Sequence, residues 1–247
     1  DTGFSGVATV TVFDAVRKVP LVEQRRMNTP YYRIREDLIW RGDVAVQNGE
    51  FKATFVVPKD ISYSDEIGRI AVYASTTEEA AMGHNENFIV GGTSDSPPND
   101  QVGPEISLFL NDTTFVAGGL VGTDPELIAR FYDESGINTV GAGVGHEMLL
   151  VVDGDEQSAL DISSAFVSAP DSYQKGEARW QLSIEEDGLH SLSVRSWDVL
   201  NNSNTVELAF NIANDEVLEL RNVYNYPNPF SNSTKFVFNL TGYEVTE

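Results

Sequence analysis

The sequence predicts an all-β protein: two tandem immunoglobulin-like antiparallel β-sandwiches, then a C-terminal strand segment that opens a truncated third β-domain. Three observations carry that reading. Apolar and polar residues alternate with a period of two in run after run. Turn residues separate the runs at the short spacings that suit a sandwich. A sustained helical period is missing; Glu78-Glu79-Ala80-Ala81-Met82 supplies one helical turn or two at most.

The first sandwich is placed at 1–91. It opens on Val7-Ala8-Thr9-Val10-Thr11-Val12-Phe13, where β-branched residues fill a period-two register. Residues 43–47 then run into Asn48-Gly49, a pair that tolerates the positive φ angles of a type I′ turn, and out along 50–57. This predicts a tight hairpin whose second arm turns Phe51, Ala53, Phe55 and Val57 toward the core. Pro58 ends the arm because proline cannot donate to a ladder. Further strands are expected at 68–74 and near 87–90. Residues 92–103 are small, polar and proline-containing without apolar periodicity, which marks a linker.

The second sandwich is placed at 104–213. Its first strand puts Ile106, Leu108 and Leu110 on one face, and strands at 126–133, 147–153, 177–184, 188–197 and 204–212 follow. Met148-Leu149-Leu150-Val151-Val152 is apolar on both faces and belongs in the interior of a sheet. Val206, Leu208, Phe210 and Ile212 alternate with Glu207, Ala209 and Asn211, the pattern of a half-buried strand. After Ala213 the register breaks. Residues 224–230 are set by Pro227 and Pro229, and 234–240 alternate as a new strand. A strand or two cannot bury a core alone. The segment 214–247 is therefore read as the start of a further β-domain or an added edge strand.

Composition narrows the function. The chain of 247 residues carries 38 acidic and 16 basic side chains, a formal charge of −22, and no cysteine. That excludes a disulfide framework, a thiolate zinc site and a cysteine nucleophile within these residues. It also excludes nucleic acid as a partner, since phosphate-backbone binding needs clustered Lys and Arg. No apolar run reaches the roughly 18 residues of a membrane-spanning helix. The chain begins at Asp1 without signal-peptide features and stops at Glu247 soon after a strand signal, as expected of a segment of a longer polypeptide.

Several stretches carry a resemblance. They include Gly49-Glu50-Phe51 with Phe55-Val56-Val57-Pro58-Lys59-Asp60-Ile61, and Asn87-Phe88-Ile89-Val90-Gly91-Gly92-Thr93. Further along come Gly103-Pro104-Glu105-Ile106-Ser107-Leu108, Asp133-Glu134-Ser135-Gly136-Ile137-Asn138-Thr139-Val140-Gly141 and Gly143-Val144-Gly145-His146-Glu147. Ser196-Trp197-Asp198-Val199-Leu200-Asn201-Asn202-Ser203 and Asn225-Tyr226-Pro227-Asn228-Pro229-Phe230 complete the series. In this order they resemble the region after the catalytic domain in the type IX secretion system sortases, gingipain-like cysteine peptidases of the Bacteroidetes. The tail from Asn225 also resembles FlgD-like and type IX C-terminal β-domains.

The resemblance implies a large protein on the extracellular face of the outer membrane. Its peptidase domain, with a Cys/His dyad, would precede Asp1 and remove C-terminal secretion signals from exported proteins, helping attach them to surface lipopolysaccharide. The implied partners are that upstream peptidase domain and an outer-membrane β-barrel protein of the secretion system. No catalytic residue carries over to a segment without cysteine. The implied role is therefore non-catalytic: to position the peptidase and to dock, with sheet edges as the natural docking element.

Candidate chemistry within the segment is sparse. His84, His146 and His190 lack metal-ligand spacing, and His190 shares a strand face with Leu192 and Val194, so a structural role is expected. The run Gly141-Ala142-Gly143-Val144-Gly145 has no following helix and no Lys-Ser/Thr, so it is read as a tight loop rather than a phosphate cradle. Asp133, Glu134, Asp153 and Asp155 flank successive strands and are candidate calcium ligands if they meet at one end of the sandwich. Against that, they lack tandem Asp-x-Asp spacing, and an acidic solvated surface has the same composition; no other cofactor is indicated. Paired carboxylates for glycoside hydrolysis would need a cleft that the strand pattern does not predict.

Trp40 and Trp180 sit in strand-like runs and are assigned to core. Trp197-Asp198 before Asn201-Asn202-Ser203 reads as a strand end and hairpin turn, with Asp and Asn side chains bonding nearby amides. Asn111, Asn201, Asn232 and Asn239 match Asn-x-Ser/Thr, which matters only in a eukaryotic secretory route. Two other function classes compete: a surface adhesion or carbohydrate-binding module, and an independent hydrolase for which no nucleophile arrangement exists.

Overall fold

The computed structural model describes residues 3–21, 30–35, 37–96, 98–139, 145–213 and 219–241. Most of the glycine run at 141–145 lies outside them, as do Pro97 and Val140. Among the described residues the regular structure is strand, apart from two short 3-10 turns at Glu156–Ser158 and Ser163–Ala165. None of these residues forms a helix long and apolar enough to cross a membrane.

The N-terminal unit contains β1 (Gly6–Phe13), β2 (Arg17–Pro20), β3 (Tyr31–Ile34) and β4 (Leu38–Val46). It continues with β5 (Glu66–Ile67), β6 (Arg69–Ser75), β7 (Ala80–Asn85) and β8 (Ile89–Val90). One antiparallel sheet, in the order β4-β1-β6-β7, supplies the floor, while β2-β3 and β5-β8 form small pairs. The period-two register of β1 does what its composition predicts: Ala8, Val10 and Val12 are at most 3% exposed and point into one cluster with Ile39, Trp40 and Val44.

The hairpin at Asn48-Gly49 forms only as a turn. Asn48 has φ 53° and Gly49 φ 80°, and Gln47 and Glu50 exchange backbone hydrogen bonds of 2.9 and 3.0 Å. The expected second arm does not pair with β4. Residues 51–57 instead leave the sheet and cross over its inner face, with the Phe55 ring stacked on Trp40 at 4.9 Å. Ala53 and Phe55 pack on the core as expected, but Phe51 and Val57 stay 43% and 49% exposed. The physical reason is competition for the edge of β4, which polar groups from 168–171 occupy. The Ser168 hydroxyl donates to the Arg41 carbonyl, the Asp171 amide to the Asp43 carbonyl, and the Ala45 amide to Asp171 Oδ1.

The helical turn expected at 78–82 is also absent. Thr76 Oγ1 accepts the Glu78 and Glu79 amides, which makes a tight turn, and Ala80 onward pairs with β6 as strand β7. Sheet pairing along the β6 edge outweighs the local helical preference of Glu and Ala. The strand near 87–90 shortens to β8, which pairs with β5.

The second unit is a two-sheet sandwich. It contains β9 (Glu105–Leu110), β10 (Leu120–Val121), β11 (Glu126–Tyr132), β12 (Leu149–Val152) and β13 (Leu160–Asp161). Then come β14 (Phe166–Ser168), β15 (Lys175–Gln181), β16 (Gly188–Trp197) and β17 (Ser203–Ile212). One sheet runs β10-β17-β16-β12-β13 and the other β14-β15-β11-β9. Leu110, Leu127, Met148, Leu150, Leu192 and Phe210 are at most 1% exposed between them. The doubly apolar β12 does lie inside its sheet, flanked by β16 and β13. Trp40 is 5% exposed and Trp180 packs against the second core, as their strand settings suggest.

The tail forms a two-stranded hairpin of β18 (Glu219–Tyr226) and β19 (Lys235–Thr241). It presents Tyr224, Tyr226 and Phe236 at 56%, 70% and 70% exposure.

Candidate functional site: the polar junction between the two sandwiches

The turn that joins β16 to β17 organises the site. Asp198, 0% exposed, accepts the Leu200 and Asn202 amides on Oδ1 at 2.9 and 2.7 Å, and the Asn202 Nδ2 on Oδ2 at 2.6 Å. These bonds close an Asx-type turn and let Asn201 take φ 69°. Asp198 makes the side-chain-to-amide bonds expected of this stretch, whereas the Asn201 and Asn202 side chains donate to the Asp60 and Asp198 carboxylates instead.

Into that turn reaches a spur from the first unit. Pro58 is buried, the Ser62 amide donates to Asp14 Oδ2 at 2.6 Å, and the Tyr63 hydroxyl donates to the Lys59 carbonyl. These contacts present Lys59 and Asp60 outward. The Lys59 amide donates to the Val199 carbonyl and its Nζ to the Leu200 carbonyl, each at 2.9 Å.

Asp60 is the centre of the contact. Its Oδ1 accepts Asn201 Nδ2 at 2.9 Å, and its Oδ2 accepts Asn138 Nδ2 at 3.1 Å and meets His146 Nδ1 at 2.5 Å. The His146 ring lies 4.2 Å from the Trp197 ring. Asn138 is 1% exposed, so its amide bond to Asp60 is made away from water.

Behind this contact three carboxylates converge: Asp100 from the stretch before β9, Asp133 after β11, and Asp198. One oxygen from each lies within 4.8 Å of the others. Asp133 Oδ1 accepts the Ser135 and Gly136 amides, while Asp100 Oδ2 accepts the Ser135 hydroxyl at 2.6 Å. Burial pushes the Asp133 carboxyl up to about 6, against the two amides that favour its charge, and the nearby Asp198 and Asp100 charges push the same way. The Ser135 hydroxyl holds Asp100 below the usual carboxylate range. Three hard oxygen donors of this kind could hold a divalent cation such as calcium.

The four calcium candidates read from sequence do not come together. Asp133 joins the group above, and Glu134 beside it contributes its carbonyl to Gln174 Nε2. Asp153 lies at the other end of β16, where it accepts the Ser191 amide and meets His190 Nδ1 at 2.7 Å. Asp155 accepts the Gln157 amide and the Ser158 hydroxyl in the first 3-10 turn. The strand length of β16 separates these pairs, a distance that sequence order does not display. Asp60, Asp100 and His146 were not singled out as partners, and Asp198 was read only as a turn residue.

His190 is 8% exposed between Asp153 and the Glu186 carbonyl, with its ring near Phe210, in the structural role expected of it. Its pKa is raised, mainly by the hydrogen bond to Asp153.

No family model matches this chain. No curated protein matches it either. Among solved structures it is similar to dimeric latent PorU from Porphyromonas gingivalis, with 31% identical residues and a TM-score of 0.47. The match takes in 98% of this chain and 23% of that one, so the chain spans about a quarter of the length of the solved relative.

Proposed function

We propose that these residues form a non-catalytic β-domain region of a secretion-system sortase: a coupled pair of β-sandwiches that positions an upstream cysteine peptidase domain on the extracellular face of the outer membrane and docks to a β-barrel partner. One observation carries the reading. The stretches that resemble the sortase family lie far apart in sequence, yet the junction is built from them. Lys59-Asp60, Asp133 through Asn138, His146 and Trp197 through Asn202 all belong to those stretches, and all meet at one interdomain contact.

A positioning arm needs such a contact. Two sandwiches joined by a linker alone would swing freely, whereas a buried polar contact holds one orientation. The chain has no cysteine, so a cysteine nucleophile would have to come from outside these residues. We assign residues 214–247, with their exposed aromatic hairpin, to the opening of a further β-domain.

The test is to purify the parent protein from its native cell surface and map its peptides by mass spectrometry. A preceding domain with a reactive Cys/His site supports the reading. A preceding region made only of further sandwich repeats overturns it in favour of an adhesin.

A further inference from the structure

The inner face of the N-terminal sheet is covered on one side only. Beneath residues 51–57, the inward side chains of β1 (Ala8, Val10 and Val12) are at most 3% exposed. The next strands tell a different story. On the same face, Ile70, Val72 and Ala74 of β6 are half-buried, and Ala81 and Gly83 of β7 are exposed. The second layer therefore stops short of half the sheet.

The border of that layer is the 51–57 segment, which belongs to no strand or helix. Its amides and carbonyls make no backbone hydrogen bond among the described residues. Beside it lie two recesses. One, of about 290 Å³, is lined by Phe51, Val72, Ala74 and Ala81. The other, of about 260 Å³, is lined by Phe55, Val57, Ile70 and Phe88. Both recesses have largely apolar linings and share the 51–57 segment and strand β6 as borders; we call the pair of them the slot.

We propose that this slot binds an extended peptide strand of a partner protein, added beside residues 51–57 by β-augmentation. It deepens the docking role proposed above and rests on that reading for its biological context. A strand is the occupant that fits, because only a second extended backbone presents donors and acceptors at the spacing of the free row. Seven residues at about 3.3 Å each set its length at about 23 Å. Alternate apolar side chains of the peptide enter the two recesses.

Charge selects the rest. Glu50 precedes Phe51 and Glu78-Glu79 precede the Ala81 that lines the same recess; the three are exposed, make no ion pair among the described residues, and outnumber the exposed Lys52 of the segment. The partner strand accordingly carries Lys or Arg between its apolar positions. A second copy of a chain with formal charge −22 would bring like charge to the same rim.

The test uses the full 247-residue chain and a seven-residue capped peptide that alternates valine with lysine, alongside a proline-interrupted version. Hydrogen exchange across 51–57 should slow at least tenfold with the alternating peptide and remain unchanged with the proline peptide. Gly83→Tyr fills the floor of the slot, since a Cβ there meets no atom within 4 Å, so the variant folds normally. It should weaken binding at least tenfold with no change in Tm. Unchanged exchange at saturating peptide overturns the proposal, as does undiminished binding by Gly83→Tyr. So does a free protein that is dimeric by light scattering with 51–57 already protected, which would put a second copy in the slot. Peptide mapping of the parent protein reads the sortase assignment independently of all these outcomes.

Discussion

Replacing Asp60 by alanine removes the acceptor of three contacts at once, to Asn138, His146 and Asn201. Hydrogen bonds to a charged group contribute about 1.5–3 kcal/mol each, and a buried donor left unpaired costs about 1–3 kcal/mol. Asn138 is 1% exposed and bears that second penalty most fully. The contacts share one carboxylate and do not add; a loss of about 3–5 kcal/mol follows, in the range seen when one partner of a buried polar pair is removed. Each unit has its own hydrophobic cluster, with Tyr173 of the second packed against the first, so the loss falls on the polar junction while the 168–171 contact with β4 remains.

Urea denaturation read by tryptophan fluorescence and by far-ultraviolet circular dichroism measures this. Trp40 reports the first core and Trp197 the junction. In Asp60→Ala the junction signal should be lost at lower urea than the β-sheet signal, where the parent chain loses them together. Asp60→Asn, which keeps an acceptor for Asn138, should fall between. A loss below about 1 kcal/mol with coincident curves would refute the assignment of Asp60 as the coupling residue.

Other expectations follow from the same contacts. The Asp133 carboxyl should titrate near 6 in a carbon-detected NMR experiment with chelator present; because this lies above its unfolded value, its stabilisation is complete below about pH 4 and lost as pH rises through 6. At 1.36 kcal/mol per pKa unit that amounts to about 3 kcal/mol, and a midpoint at or below 4 contradicts it. His190, raised by Asp153, acts in the same direction: its stabilisation is present below 6.5 and lost as pH passes its folded value, and Asp153→Asn should abolish that dependence in pH-resolved melts. Phe210→Ala should cost about 3–5 kcal/mol by calorimetry, since the ring is 0% exposed. Gly49→Ala, at φ 80°, should cost about 1–2 kcal/mol through left-handed backbone strain, read as a lower Tm.

The all-β class and most strands were legible because alternation is a local property. Val206, Leu208, Phe210 and Ile212 announce a half-buried strand whatever lies around them, and β17 forms there. The Asp198 turn was legible for the same reason, since its bonds span four residues. Edge pairing was not legible. Alternation in 51–57 marked Ala53 and Phe55 correctly but neither the exposure of Phe51 and Val57 nor which backbone pairs, because residues 168–171 take the edge of β4. At 78–82 the preference of Glu and Ala for helix yielded to pairing along β6.

The junction belongs wholly to the tertiary structure. Asp60, Asp100 and His146 carry no local pattern that marks them, because a carboxylate in an acidic chain looks like solvated surface until a fold buries its partners. Sequence by itself determined the all-β class and most of the strands with their inward faces, β1 and β17 among them, through periodicities of two. Only the packing of one sandwich on the other decided which charges meet, because that depends on where distant strand ends arrive in space.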